Sequence, residues 1–267
     1  MIEMIKPRAL RSGDRVAAIS LSAGKPSAYP AAYQDGKRQL EEAFGVQVIE
    51  SRHALAHSDW LAAHPEARAE DLMEVLSDPS IQGIVSTIGG DDSIRMLPFL
   101  DLSFIRENPK VFLGYSDSTI THFAFLKAGV TSFYGPSIMA GFDENGGLLP
   151  YTAESVRQAL FEPVPSKLIS PNNGGWTGAS FGWGDEKRNE KRRPLQPCSG
   201  WQWIRGIRRI FRPHPRCARY KKFVPQGSFG SRKCCRIGFS CPMLRIGICR
   251  DTRKRLPMLR RQNERGR

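Results

Sequence analysis

The chain has 267 residues, enough for one large domain or two modest ones with a real core. Its net charge of +14 points first to nucleic acid or a membrane surface, but residues 1–203 carry 20 Lys and Arg against 24 Asp and Glu, whereas residues 204–267 carry 20 against 2. No apolar run reaches the length of a membrane span, and the opening residues show no apolar stretch followed by a small-residue cleavage site, so a soluble cytoplasmic protein is expected.

Taken in order, residues 1–165 alternate strand and helix. RVAAISLSAG reads as a buried strand ending in a glycine turn. AAYQDGKRQLEEAFG reads as a helix closed by Gly45. VQVIES is a strand, HPEARAEDLMEVLSD an acidic amphipathic helix, IQGIVSTIGG a strand and DDSIRMLPFLD a short helix. PKVFLG is a strand, DSTITHFAFLKAG a helix, VTSFYGP a closing strand and TAESVRQALF a further helix. The strands are continuously apolar rather than alternating. That pattern marks a parallel sheet covered on both faces, an α/β domain over residues 1–165.

Residues 166–203 are rich in Pro, Gly, Asn and Trp and carry the charged run GDEKRNEKRR, which reads as a linker and the start of a second domain. Residues 204–267 show no sustained period of two or 3.6, are interrupted by prolines, and include 16 arginines, so no element is assigned there. All six cysteines lie at position 198 or later, at 198, 217, 234, 235, 241 and 249, with no CxxC pairs; this is a weak basis for a zinc site. Nucleic-acid binders combine their basic residues with a recognisable scaffold, and none is visible in this tail, so a nucleic-acid partner is not expected.

Ligands bind at the carboxyl ends of strands in open parallel sheets. Two turns fall there. One is Gly89-Gly90-Asp91-Asp92-Ser93 and the other is Gly114-Tyr115-Ser116-Asp117-Ser118. The second has the form of a nucleophile elbow, a sharp strand-to-helix turn that exposes a serine. The Asp117 amide would then lie at a helix start and favour an oxyanion, with the Gly89-Gly90 pair offering a second amide. The competing reading is that Ser116 or Asp117 merely caps the helix, and that Asp91, Asp92 or Ser93 caps the other one. No P-loop or dinucleotide fingerprint is present, and Asp91 and Asp92 lack further ligands at metal spacing. No cofactor or metal is expected.

A serine nucleophile needs a base. Of the five histidines, His122 lies on the helix that follows Ser116, where a packed structural role is expected, with its side chain carried away from the turn. His53, His57 and His64 lie in a polar connection, and His214 lies in the basic tail. None has the setting of a catalytic base.

The segments IQGIVSTIGGDDSIRMLPFLD, NPKVFLGYSDSTITHFAFLKAGVTSFYGPSIMAGF and WGDEKRNEKRRPLQP resemble the LD-carboxypeptidase family of serine peptidases, most closely its microcin-C-immunity branch. The likeness runs from about residue 10 to residue 203. It implies a flavodoxin-like N-terminal domain, a smaller C-terminal domain, and cleavage of an amide next to a free carboxylate. The substrate is a murein LD-tetrapeptide in one branch and a peptidyl-nucleotide in the other. It also implies Ser116 as nucleophile, the Asp117 and Gly90 amides as oxyanion donors, Gly89, Asp91 and Asp92 as substrate-binding, and a homodimer. The family's triad glutamate and histidine belong to its C-terminal domain, and no counterpart follows Trp203.

The likeness and the composition change together at Trp203, the pattern expected of a reading-frame shift near codon 204. Residues 204–267 are then expected to form no compact domain. The principal reading is a serine carboxypeptidase inactive as written. The alternatives are a nucleic-acid-binding protein using a genuine basic tail, and a non-catalytic peptide-binding domain.

Overall fold

The computed structural model describes residues 3–163, 172, 174–175 and 182–185, and the backbone of residues 244–246. The expected linker at 166–203 and the basic tail with its cysteines and His214 lie almost entirely outside the described residues.

Five parallel strands form the sheet: β1 (Arg15–Ile19), β2 (Gln47–Glu50), β3 (Ile81–Ser86), β4 (Val111–Gly114) and β5 (Ser132–Tyr134). Their spatial order is β2-β1-β3-β4-β5, and every pair among them is parallel. This is the flavodoxin-like order, in which the chain changes direction of winding between β1 and β3 and opens a crevice beyond their carboxyl ends.

The helices are α1 (Lys25–Ala28), α2 (Pro30–Phe44), α3 (Ser58–Ala63), α4 (Pro65–Ser77), α5 (Leu102–Glu107), α6 (Thr119–Ala128) and α7 (Pro150–Val156). The stretch read as a short helix at 91–101 is a 3-10 helix, Ser93–Phe99, followed by α5, whose N-cap Asp101 accepts from the Ser103 and Phe104 amides. Pro98 breaks the α-helical ladder there. Gly45 and Gly129 close α2 and α6 in the left-handed conformation, as the sequence predicts for Gly45.

Successive strand residues serve opposite faces. Val16 and Ala18 join Leu40, Phe44 and Val156 in one core, under α2 and α7. Ala17 and Ile19 join Leu72, Ile84, Phe112 and Phe125 in the other, under α4 and α6. Both faces are covered, which is why the strands read as unbroken apolar runs. Among the described residues no helix is long and apolar enough to cross a membrane.

Within residues 204–267 the described backbone holds one short element: Leu244–Ile246 forms a strand, β6, antiparallel to β5. An open sheet edge presents unpaired N–H and C=O groups that any extended segment can meet, whatever its composition.

Candidate active site

Ser116 stands at the carboxyl end of β4, and its φ is +62°, the only positive φ of a non-glycine residue among those described. Such a conformation costs an L-residue about 1–2 kcal/mol, so the surrounding contacts must hold it. Tyr115 is extended, Ser116 turns the chain sharply, and a short 3-10 turn, Ser116–Ser118, leads into α6. Thr119 Oγ1 donates to the Ser116 carbonyl at 2.5 Å, and the Ser116 N–H donates to the Tyr134 hydroxyl at 3.1 Å. The residue itself is exposed at the sheet edge.

Capping does not account for the serine. Neither the 3-10 turn nor α6 receives a side-chain cap. Asp117 reaches away from its own helix: its Oδ2 accepts the Ser93 N–H at 2.8 Å, and its carbonyl accepts the Ser93 hydroxyl at 2.8 Å. The two turns singled out in the sequence are thereby tied together.

Gly89 faces the serine. A Cβ placed on Gly89 would stand 2.9 Å from Ser116 Cβ, 3.0 Å from its Oγ and 3.2 Å from the Asp117 nitrogen. Gly90 lies against the loop after β1, where an added Cβ would meet Ser22 Oγ at 2.0 Å. Among the described residues neither the Gly90 nor the Asp117 amide has a hydrogen-bond acceptor. An unpaired Asp117 N–H next to an exposed hydroxyl, with a second unpaired N–H in the adjoining Gly89–Gly90 turn, supplies the kind of donors from which an oxyanion site is built.

The two aspartates expected to bind substrate differ. Asp91 is exposed. Asp92 is committed within the protein: it accepts from Arg68 Nη1 at 2.8 Å and from Ser22 Oγ at 3.3 Å, with Arg95 3.7 Å away. The residues that sequence reading missed are Tyr134 and Arg68. Tyr134 had a signal, since it ends the strand beside the elbow. Arg68 had none, because an arginine on an acidic helix looks like a solvated face.

Four of the five histidines lie among the described residues. His122 is fully buried, and burial holds its pKa down to about 4 despite its bond to Gly114. Its Nε2–H donates to the Gly114 carbonyl at 2.9 Å, and its Nδ1 accepts from Ser132 Oγ at 2.9 Å. This is a structural histidine, but its side chain points back under the elbow rather than away from it, because helical side chains tilt toward the N-terminus. His53 pairs with buried Asp71 at 2.8 Å and stacks on Trp60, which stacks on His64. His53 follows β2, whose axis lies three strand spacings, or about 14 Å, from that of β4.

Residues 16–135 match the LD-carboxypeptidase N-terminal domain. The match is to this part of the chain, 120 of its 267 residues. A Vibrio cholerae protein named as a carboxypeptidase is 29% identical over 203 residues, covering 75% of this chain and 59% of its own length. The microcin C7 self-immunity protein MccF of Escherichia coli is 36% identical over 121 residues, 45% of this chain and 35% of that protein. The solved structure of MccF in complex with aspartyl sulfamoyl adenosine superposes with a TM-score of 0.64 at 28% identity, covering 72% of this chain and 57% of that one. The chain spans about half the length of the relatives it matches, and residues 16–135 contain both turns of the site.

Proposed function

We propose that this protein is a serine-type carboxypeptidase or amidase that cleaves an amide next to a free carboxylate, with Ser116 as nucleophile and the Asp117 and Gly90 amides as oxyanion donors. The observation that carries the reading is the strained, exposed Ser116 facing Gly89 at the carboxyl edge of the sheet. Strain held at one exposed polar residue is characteristic of functional turns. A base takes the proton of the Ser116 hydroxyl as its Oγ attacks the carbonyl carbon, the two amides receive the developing negative charge, the amine leaves carrying that proton, and water then hydrolyses the acyl-enzyme and regenerates the serine.

The substrate is a peptidyl-nucleotide of the microcin C kind or a murein LD-tetrapeptide. MccF and its complex with aspartyl sulfamoyl adenosine support the first. The base and its orienting carboxylate belong to the C-terminal domain of the family, for which the basic segment after Trp203 supplies no matching residues. The chain as written is therefore inactive, and a version with the reading frame restored after codon 203 is active. The test compares three purified proteins on an LD-linked tetrapeptide and on an aspartyl-nucleotide amide: this chain, the restored chain and the restored chain with Ser116→Ala. Turnover by the restored chain alone supports the reading. Turnover that survives Ser116→Ala removes the serine from the mechanism. Equal turnover by this chain and the restored one would mean that the base lies within it.

A further inference from the structure

We infer that Arg68 is a positioning residue for the oxyanion site, holding the Gly89–Gly90 turn in register with Ser116. The inference rests on the nucleophile reading of Ser116. Arg68 projects from α4 and is completely buried. Its Nη1 donates to the Leu21 carbonyl in the loop after β1 at 3.1 Å and to Asp92 Oδ1 in the loop after β3 at 2.8 Å, and its Nη2 lies 3.4 Å from Asp92 Oδ2. One guanidinium thus spans both sides of the crevice where the winding changes direction.

From that anchor the contacts run to both turns that carry the proposed oxyanion amides. Ser22 donates to Asp92, and Ser22 is the residue against which Gly90 packs. The Ala23 N–H donates to the Gly89 carbonyl at 3.2 Å. On the other side of Asp92, Ser93 holds Asp117 through two hydrogen bonds. Burying an arginine is costly, and its Nε has no partner among the described residues. Asp92 and the Leu21 carbonyl together take a planar fork that lysine, a point charge on a flexible stem, does not reproduce. Oxyanion donors tolerate displacements of only about 0.5 Å, so the loss of this brace acts on Ser116 chemistry without any contact with substrate.

The test uses the full chain and a small alkyl phosphonofluoridate in alkaline buffer, so that solvent takes the serine proton. Ser116 Oγ displaces fluoride from phosphorus, and the phosphonyl oxygen occupies the oxyanion position. The label should form on Ser116 and disappear in Ser116→Ala. Arg68→Lys and Asp92→Asn should each slow labelling by about 10- to 100-fold, and the double variant should be no slower than the slower single one, because the two act as a unit. Leu40→Ala in the opposite core lowers the melting temperature but should leave the labelling rate unchanged. If Arg68→Lys does not fold, Asp92→Asn carries the same comparison, since it keeps the shape of the side chain. Wild-type labelling rates in folded Arg68 or Asp92 variants overturn the inference while leaving Ser116 in place. Labelling that persists in Ser116→Ala overturns the nucleophile reading and the inference with it.

Discussion

Gly89 and Ser116 approach so closely that a single methyl group on the glycine would lie 2.9 Å from the serine Cβ. No ordinary carbon contact is that short, and the atoms it meets are the serine's own Cβ, its Oγ and the Asp117 nitrogen, none of which is the far end of a flexible side chain. Gly89→Ala should therefore displace the elbow and destabilise the fold by about 1–3 kcal/mol. Urea unfolding would measure the loss, and phosphonofluoridate labelling of Ser116 should fall with it. An alanine variant with unchanged stability and unchanged labelling would mean that the turn has more room than these contacts allow.

Ser116→Gly should stabilise the protein relative to Ser116→Ala by about 1 kcal/mol. Alanine keeps the Cβ and with it the cost of φ +62°, whereas glycine adopts that region freely. Both variants lose the hydroxyl, so their difference isolates the strain. Equal unfolding midpoints would show that the backbone relaxes once the hydroxyl is gone, and that the strain is not imposed by the surrounding turn.

Tyr134→Phe removes the oxygen that accepts the Ser116 N–H and leaves the ring, which lies edge-on to Tyr115 at 6.4 Å. Ser116 is exposed, so water replaces the lost acceptor and the cost in stability should stay at or below about 1 kcal/mol. The elbow amide loses its anchor, and the labelling rate of Ser116 should fall by more than that small loss of stability implies. A melting curve and a labelling time course on the same preparation check both halves.

The sheet was readable because its signals are local. Apolar runs of strand length separated by helical periods give the element order, and a glycine after Phe44 marks the end of α2. The elbow was readable because Gly114, Ser116 and Asp117 adjoin one another. The contacts that bring the two turns together were not, since Asp117 meets Ser93 across 24 residues and Arg68 meets Asp92 across another 24. Pairing over such distances depends on which strands become neighbours, and periodicity is silent on that. The partners of Asp92 were hidden for the same reason: nothing in the residues around the Gly-Gly turn points to a buried arginine on α4.

His122 should make stability depend on pH in a defined window. In the unfolded chain its pKa is the ordinary 6.5, and in the folded protein burial holds it at about 4. Between those two values the unfolded state binds more protons than the folded one, so stability falls as pH decreases. The contribution is complete above about pH 6.5, declines as pH drops through the window, and levels off below about pH 4. A shift of this size corresponds to about 3 kcal/mol at most. The proton would enter at Nδ1, which now accepts from Ser132, and Nε2 already gives its hydrogen to Gly114. Protonation therefore strains the tie between α6 and the base of the elbow, and local opening at Ser116 should precede global unfolding in acid. Urea unfolding at a series of pH values should show the decline in the wild type and a flatter curve in His122→Gln, which does not titrate. Parallel curves for the two proteins would place the acid sensitivity on other groups and remove His122 from it.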